Sequence, residues 1–91
     1  MIEKFHIKTH EEMFGAAVAK MREKLRLSTE ELADRSRVPL RLLSRIESGK
    51  ANGDEFGLRE ICKLANGMRT TPLHLMKEYE KLVERAGEAW W

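Results

Sequence analysis

An all-α bundle of five short helices packed at steep angles is the fold this sequence predicts, and three observations lead to it. Apolar residues recur at spacings of three and four in successive stretches. Helix-start signals punctuate the chain: Thr9 with Glu12 and Ser28 with Glu31 have capping-box spacing, and Thr71 precedes Pro72. The connections between the periodic stretches are short. Consecutive helices must therefore pack as neighbours around one core.

Residues 1–12 are assigned to a short N-terminal arm, extended at Phe5 and Ile7, where apolar and polar residues alternate. The first helix is expected from about His10 to Leu25, with Phe14, Val18, Met21 and Leu25 on one face. The second runs from Thr29 to Ser36 and buries Leu32 and Ala33. The third starts near Pro39 or Leu40, ends at Ser48 before Gly49, and buries Leu43 and Ile46. The fourth spans about Phe56 to Gly67 and buries Leu58, Ile61, Leu64 and Ala65. The fifth runs from Pro72 towards Ala86, with Leu75, Met76, Tyr79, Leu82 and Val83 on its apolar side.

The bulk composition narrows the class. Ninety-one residues suit one domain, so 1–91 is read as a single unit. Hydrophobic residues make up 42% and charged residues 35%, too apolar for a disordered tail. No apolar run approaches the roughly 20 residues that cross a bilayer, so no membrane span is expected. The opening MIEKFHIK lacks the apolar stretch of a signal peptide. Cys62 has no cysteine to pair with and sits among apolar neighbours, which suggests a buried small hydrophobe in a reducing, cytoplasmic compartment. His6, His10 and His74 are scattered, and no metal-ligand spacing, phosphate-binding glycine loop or nucleophile elbow exists. No metal, no cofactor and no enzymatic activity are expected.

The formal net charge is only +2, but it is unevenly placed. Between residues 35 and 50, Arg35, Arg37, Arg41, Arg45 and Lys50 face the single acid Glu47. A polyanion could dock there, although the same charges would also suit a solvated face. The helices on either side of residues 36–39 are too closely joined to fold back antiparallel, so they cross steeply. A second helix held that way can project into a major groove about 12 Å wide.

The stretches FGAAVAKMREKLRLSTEELADRS, VPLRLLSRIESGK and LREICKLANGMRTTPLHLM together resemble the Xre, or lambda-repressor-like, family of helix-turn-helix regulators. The resemblance covers roughly residues 14–76 and leaves 77–91 as a C-terminal helix extension. It implies a lambda-repressor-like DNA-binding domain whose third helix reads double-stranded DNA, commonly as a homodimer. It also implies an ion pair between Arg22 and Glu47 that fastens the first helix to the third. Thr29 aligns with a phosphate contact at a helix N-terminus, where anions are favoured. Leu40, Arg41, Ser44 and Arg45 fall on the exposed side of the third helix. Arg41 and Arg45 are the candidates for reading guanine, while Arg37 and Lys50 suit phosphates.

The chain departs from the family pattern at three places. Arg37 stands where a glycine is preferred in the turn. Leu40 and Leu42 place apolar side chains where polar readers are usual. The connection KANGDEF after Gly49 is longer than the family's and lacks its proline. The C-terminal stretch EYEKLVERAGEAWW is amphipathic. Tyr79, Leu82, Val83, Trp90 and Trp91 suit an interface with a second copy or a protein partner, or else packing on the chain's own helices. The function expected is a sequence-specific, dimeric transcriptional regulator. The alternative is a protein-interaction module using Leu40, Leu42 and the tryptophans, and an antitoxin would combine the two.

Overall fold

The computed structural model describes residues 9–86. Within them the chain forms five helices and no strand: α1 (His10–Lys24), α2 (Thr29–Ser36), α3 (Leu40–Glu47), α4 (Leu58–Gly67) and α5 (Pro72–Arg85). Phe5, Ile7, Trp90 and Trp91 lie outside the described residues.

Local chemistry sets the helix starts. Thr9 Oγ1 accepts from the Glu12 amide while the Glu12 carboxylate accepts from the Thr9 amide. Ser28 and Glu31 repeat the exchange, and Thr71 Oγ1 accepts from the His74 amide. The helix therefore claims residues 10–12, which the sequence reading had also given to the arm. α4 starts at Leu58, later than expected, because the Glu60 carboxylate takes the Gly57 amide and fixes the start there.

Three helices end in one shared pattern. The residue after the cap turns left-handed, and two amides cross back to the last turn. At α3 these are Gly49 to the Ile46 carbonyl and Lys50 to the Arg45 carbonyl. At α1 they are Arg26 to Glu23 and Leu27 to Arg22; at α4, Arg69 to Asn66 and Thr70 to Ala65. The left-handed residues are Gly49 at φ 77°, Arg26 at 59° and Arg69 at 57°. Gly67 is the last residue of α4, where the fourth helix was expected to end, and its missing side chain lets Ser36 approach.

The core joins Met13, Val18, Leu32, Leu43, Ile46, Leu64, Leu75 and Val83, each at most 2% exposed. α1 packs on α3 and α5, and α4 packs on α2 and α5. This arrangement corrects three expectations. Leu25 is 48% exposed because it follows the last residue of α1, and the chain turns Leu27 inward in its place. Leu58 is 80% exposed, and Cys62, one turn on, is exposed as well. Leu58 is the first residue of α4, at the open end of the helix, and Cys62 lies on the side of α4 turned away from Leu64.

α5 also uses its surface differently from an interface helix. Tyr79 and Val83 are buried in the chain's own core, and Leu82 is half-buried against it. The Phe14 ring meets both Tyr79 and Phe56, and the Tyr79 hydroxyl lies 2.6 Å from His10 Nδ1. Intramolecular packing accounts for the amphipathic stripe over residues 75–83.

The turn between α2 and α3 carries a measurable strain. Arg37 is left-handed at φ 65°, a conformation that costs an L-residue about 1 kcal/mol. Arg37→Gly should therefore raise the unfolding free energy by about 0.5–1 kcal/mol in a denaturant titration. An unchanged or lowered midpoint would show that the Arg37 side chain contributes more than its backbone loses.

Candidate nucleic-acid interface

The α2–turn–α3 unit is held from within. Ser36, 3% exposed, accepts the Val38 amide on its hydroxyl oxygen and donates to the Ala33 carbonyl. The Arg37 amide returns to the Ala33 carbonyl at 2.9 Å. Val38, 1% exposed, anchors the turn in the core. Ser36, expected as the end of the second helix, thus organises the turn. The readable signal is its position two residues before a buried valine, a spacing at which serine commonly takes a backbone amide.

α3 is fastened by its inner face. Leu43 and Ile46 are buried, and Arg22 of α1 grips Glu47 with Nε to Oε2 at 2.8 Å and Nη2 to Oε1 at 3.1 Å. Arg22 Nη1 also donates to the Leu27 carbonyl at 2.8 Å. This one guanidinium thus ties α1, the chain entering α2 and α3 together. Gly15 adds a backbone contact: a Cβ there would sit 1.9 Å from the Ile46 carbonyl oxygen.

The outer face is open. Leu40, Arg41 and Ser44 are exposed, and so are Arg37 and Lys50 at the two ends. Thr29 is half-buried in the first turn of α2, behind the Ser28 cap. Leu42 is half-buried against the core. Two shallow depressions meet at Pro39. One is lined by Asp34, Arg37, Val38 and Leu40, and the other by Arg41, Leu42, Arg45 and Glu55. Among the described residues, the side chains of Arg37, Arg41, Ser44 and Lys50 make no ion pair and no hydrogen bond.

Arg45 differs from Arg41. Its Nε and Nη2 donate to Glu55 Oε1 and Oε2 at 2.9 and 2.8 Å, and Nη2 also donates to the Lys50 carbonyl at 3.0 Å. Hydrogen bonds from Arg45 hold the Glu55 carboxyl below its usual range, and the same contact raises Arg45. Glu55 was not singled out from sequence. It lies in an irregular connection ten residues on from Arg45, where no periodicity predicts a partner.

Comparisons with known proteins agree with this geometry. A family profile described as helix-turn-helix (HTH_3) matches residues 18–75. No curated protein matches the chain. Among solved structures, the restriction-modification controller protein C.AhdI from Aeromonas hydrophila is similar with a TM-score of 0.65 and 29% identity, over 71% of this chain and 94% of that one. The clp gene regulator ClgR from Corynebacterium glutamicum is similar with a TM-score of 0.70 and 22% identity, over 80% of this chain and 91% of that one. A second ClgR structure gives a TM-score of 0.75 and 20% identity, over 90% and 85%. At those identities the ClgR likeness speaks for the fold. The profile takes in more than half of the chain, including both helices around the Ser36–Pro39 turn, and the chain belongs to the Xre/Cro-type helix-turn-helix family of DNA-binding regulators.

Proposed function

We propose that this chain is a sequence-specific transcriptional regulator that places α3 in the major groove of double-stranded DNA and acts as a dimer on two half-sites. The observation that carries the reading is the division of α3. Its inner side chains are all spent on the fold, while Leu40, Arg41 and Ser44 face outward between the two flanking cations Arg37 and Lys50. Arg41 can offer two parallel donors to guanine O6 and N7, and Leu40 can meet a thymine methyl. Arg37, Lys50 and the Thr29 end of α2 suit phosphates, which orient the protein without specifying sequence. Family membership supports the DNA partner, and C.AhdI and ClgR are described as a controller protein and a gene regulator.

The test is a duplex titration at several salt concentrations. Arg41→Ala should cost about 1–3 kcal/mol on the preferred site and relax the choice at one base pair. Lys50→Ala should weaken all duplexes alike and flatten the salt slope by about one unit. Two chains should bind each twofold-symmetric site. Failure to bind any duplex at low salt would sink the reading and leave Leu40 as part of a protein-docking face.

A further inference from the structure

We propose that Glu55 is a specificity-determining residue of this interface and that it acts through Arg45, withholding that arginine from DNA phosphates. The inference rests on the reading of α3 as the DNA-contacting helix.

Donor geometry is the first support. A guanidinium has five N–H groups, arranged along a side edge and an end edge. The side edge of Arg45, Nε with Nη2, is filled by the two oxygens of Glu55. The end edge is interrupted because Nη2 also donates to the Lys50 carbonyl. A bidentate grip on guanine needs two free parallel donors, and Arg45 has only Nη1 to offer. The sequence placed Arg41 and Arg45 together as readers, but only Arg41 has an unengaged fork.

The second support is how firmly the partner segment is held. The Arg45 carbonyl accepts the Lys50 amide at 2.9 Å, the Ala51 amide at 3.1 Å and the Ser48 hydroxyl at 3.2 Å. Ala51 is 1% exposed and pins the connection to the core. Both ends of Arg45 are therefore bound to the segment from Lys50 to Glu55, in which the Asn52 carbonyl accepts the Glu55 amide at 2.9 Å and closes the turn that brings Glu55 back. Those hydrogen bonds hold the Glu55 carboxyl below its usual range, so the pair keeps its charge further into acid than a free glutamate would.

The consequence concerns discrimination. Contacts to phosphate raise affinity for every sequence alike, whereas contacts to base edges separate one sequence from another. A freed guanidinium at position 45, near the end of α3 beside Lys50, would add to the phosphate contacts and so to non-specific binding. Glu55 removes that contribution and also sets a negative charge against the phosphates, while Arg41 in the same depression stays available. Specificity rises because the background falls.

Four full-length proteins test this: wild type, Glu55→Gln, Arg45→Gln and the double variant. Each is titrated at several salt concentrations with a random-sequence duplex and with a duplex selected from a random pool by the wild type. Glu55→Gln should tighten the random duplex several-fold and steepen its salt slope by about 0.9, the share of one added phosphate contact. The selected duplex should gain less, so the ratio of the two affinities shrinks. Arg45→Gln alone should leave the slope nearly unchanged, and the double variant should lose the gain. The inference is overturned if Arg45→Gln flattens the wild-type slope by about one, because Arg45 then already leaves Glu55 for DNA. It is equally overturned if Glu55→Gln weakens the selected duplex, or if its gain persists in the double variant. Those results leave α3 as the DNA helix; a wild type that binds neither duplex overturns that reading as well.

Discussion

Gly15→Ala is expected to destabilise the fold by about 3 kcal/mol or more, although alanine is the better helix former. The added Cβ would stand 1.9 Å from the Ile46 carbonyl oxygen, 3.0 Å from its carbon and 3.1 Å from the Glu47 carbonyl oxygen. These are backbone atoms of α3, so no side-chain rotation relieves the overlap. α1 and α3 would have to separate, opening the layer that contains Val18, Leu43 and Ile46. A thermal or denaturant melt measures the loss. A Gly15→Ala protein as stable as wild type would mean that α1 and α3 do not approach this closely.

Glu47→Ala should cost about 2–4 kcal/mol, because it strands a guanidinium that is only 13% exposed. Arg22→Ala should cost about as much, since it leaves Glu47, 11% exposed, without its partner and also frees the Leu27 carbonyl. The double variant should be less damaged than the sum of the two. A coupling above about 1 kcal/mol is expected, and additive losses well below that would show that the two side chains act independently. Arg22→Lys should not restore stability, because an ammonium cannot supply the three directed donors that reach Glu47 and Leu27.

The helices were legible because their signals are local. Thr9, Ser28 and Thr71 declare their helix starts within three residues, and the spacing of Leu43 and Ile46 fixes the buried side of α3 without reference to the rest of the chain. Burial at helix ends was less legible. Leu25 and Leu58 fit the apolar period, but exposure there depends on where neighbouring helices stop, which spacing does not encode. Cys62 misled for another reason: its apolar neighbours in sequence do not share its side of α4, and it is exposed. At the candidate site, outward-facing Arg41 follows from helical geometry alone. The engagement of Arg45 does not, because its partner Glu55 arrives through a connection whose path is set by the burial of Ala51. Arg37 is an intermediate case. Its place in the turn was readable, and the structure adds that it occupies the left-handed region without glycine's freedom.

The split between the two sides of α3 bears on how such a protein can change over generations. Leu43, Ile46 and Glu47 keep the helix in place, and none of them is among the outward residues Leu40, Arg41 and Ser44. Substitutions at 40, 41 and 44 disturb no core contact and no buried hydrogen bond, so they carry little penalty in stability. A lineage can therefore drift at those three positions, and on the proposed function in its choice of target with them, while the frame is inherited intact. Arg45 is the exception on that face, since exchanging its side chain also removes the bonds to the Lys50 carbonyl and the Glu55 carboxylate. Variation on the outward side of α3 should accordingly be free at its beginning and middle and constrained towards its end.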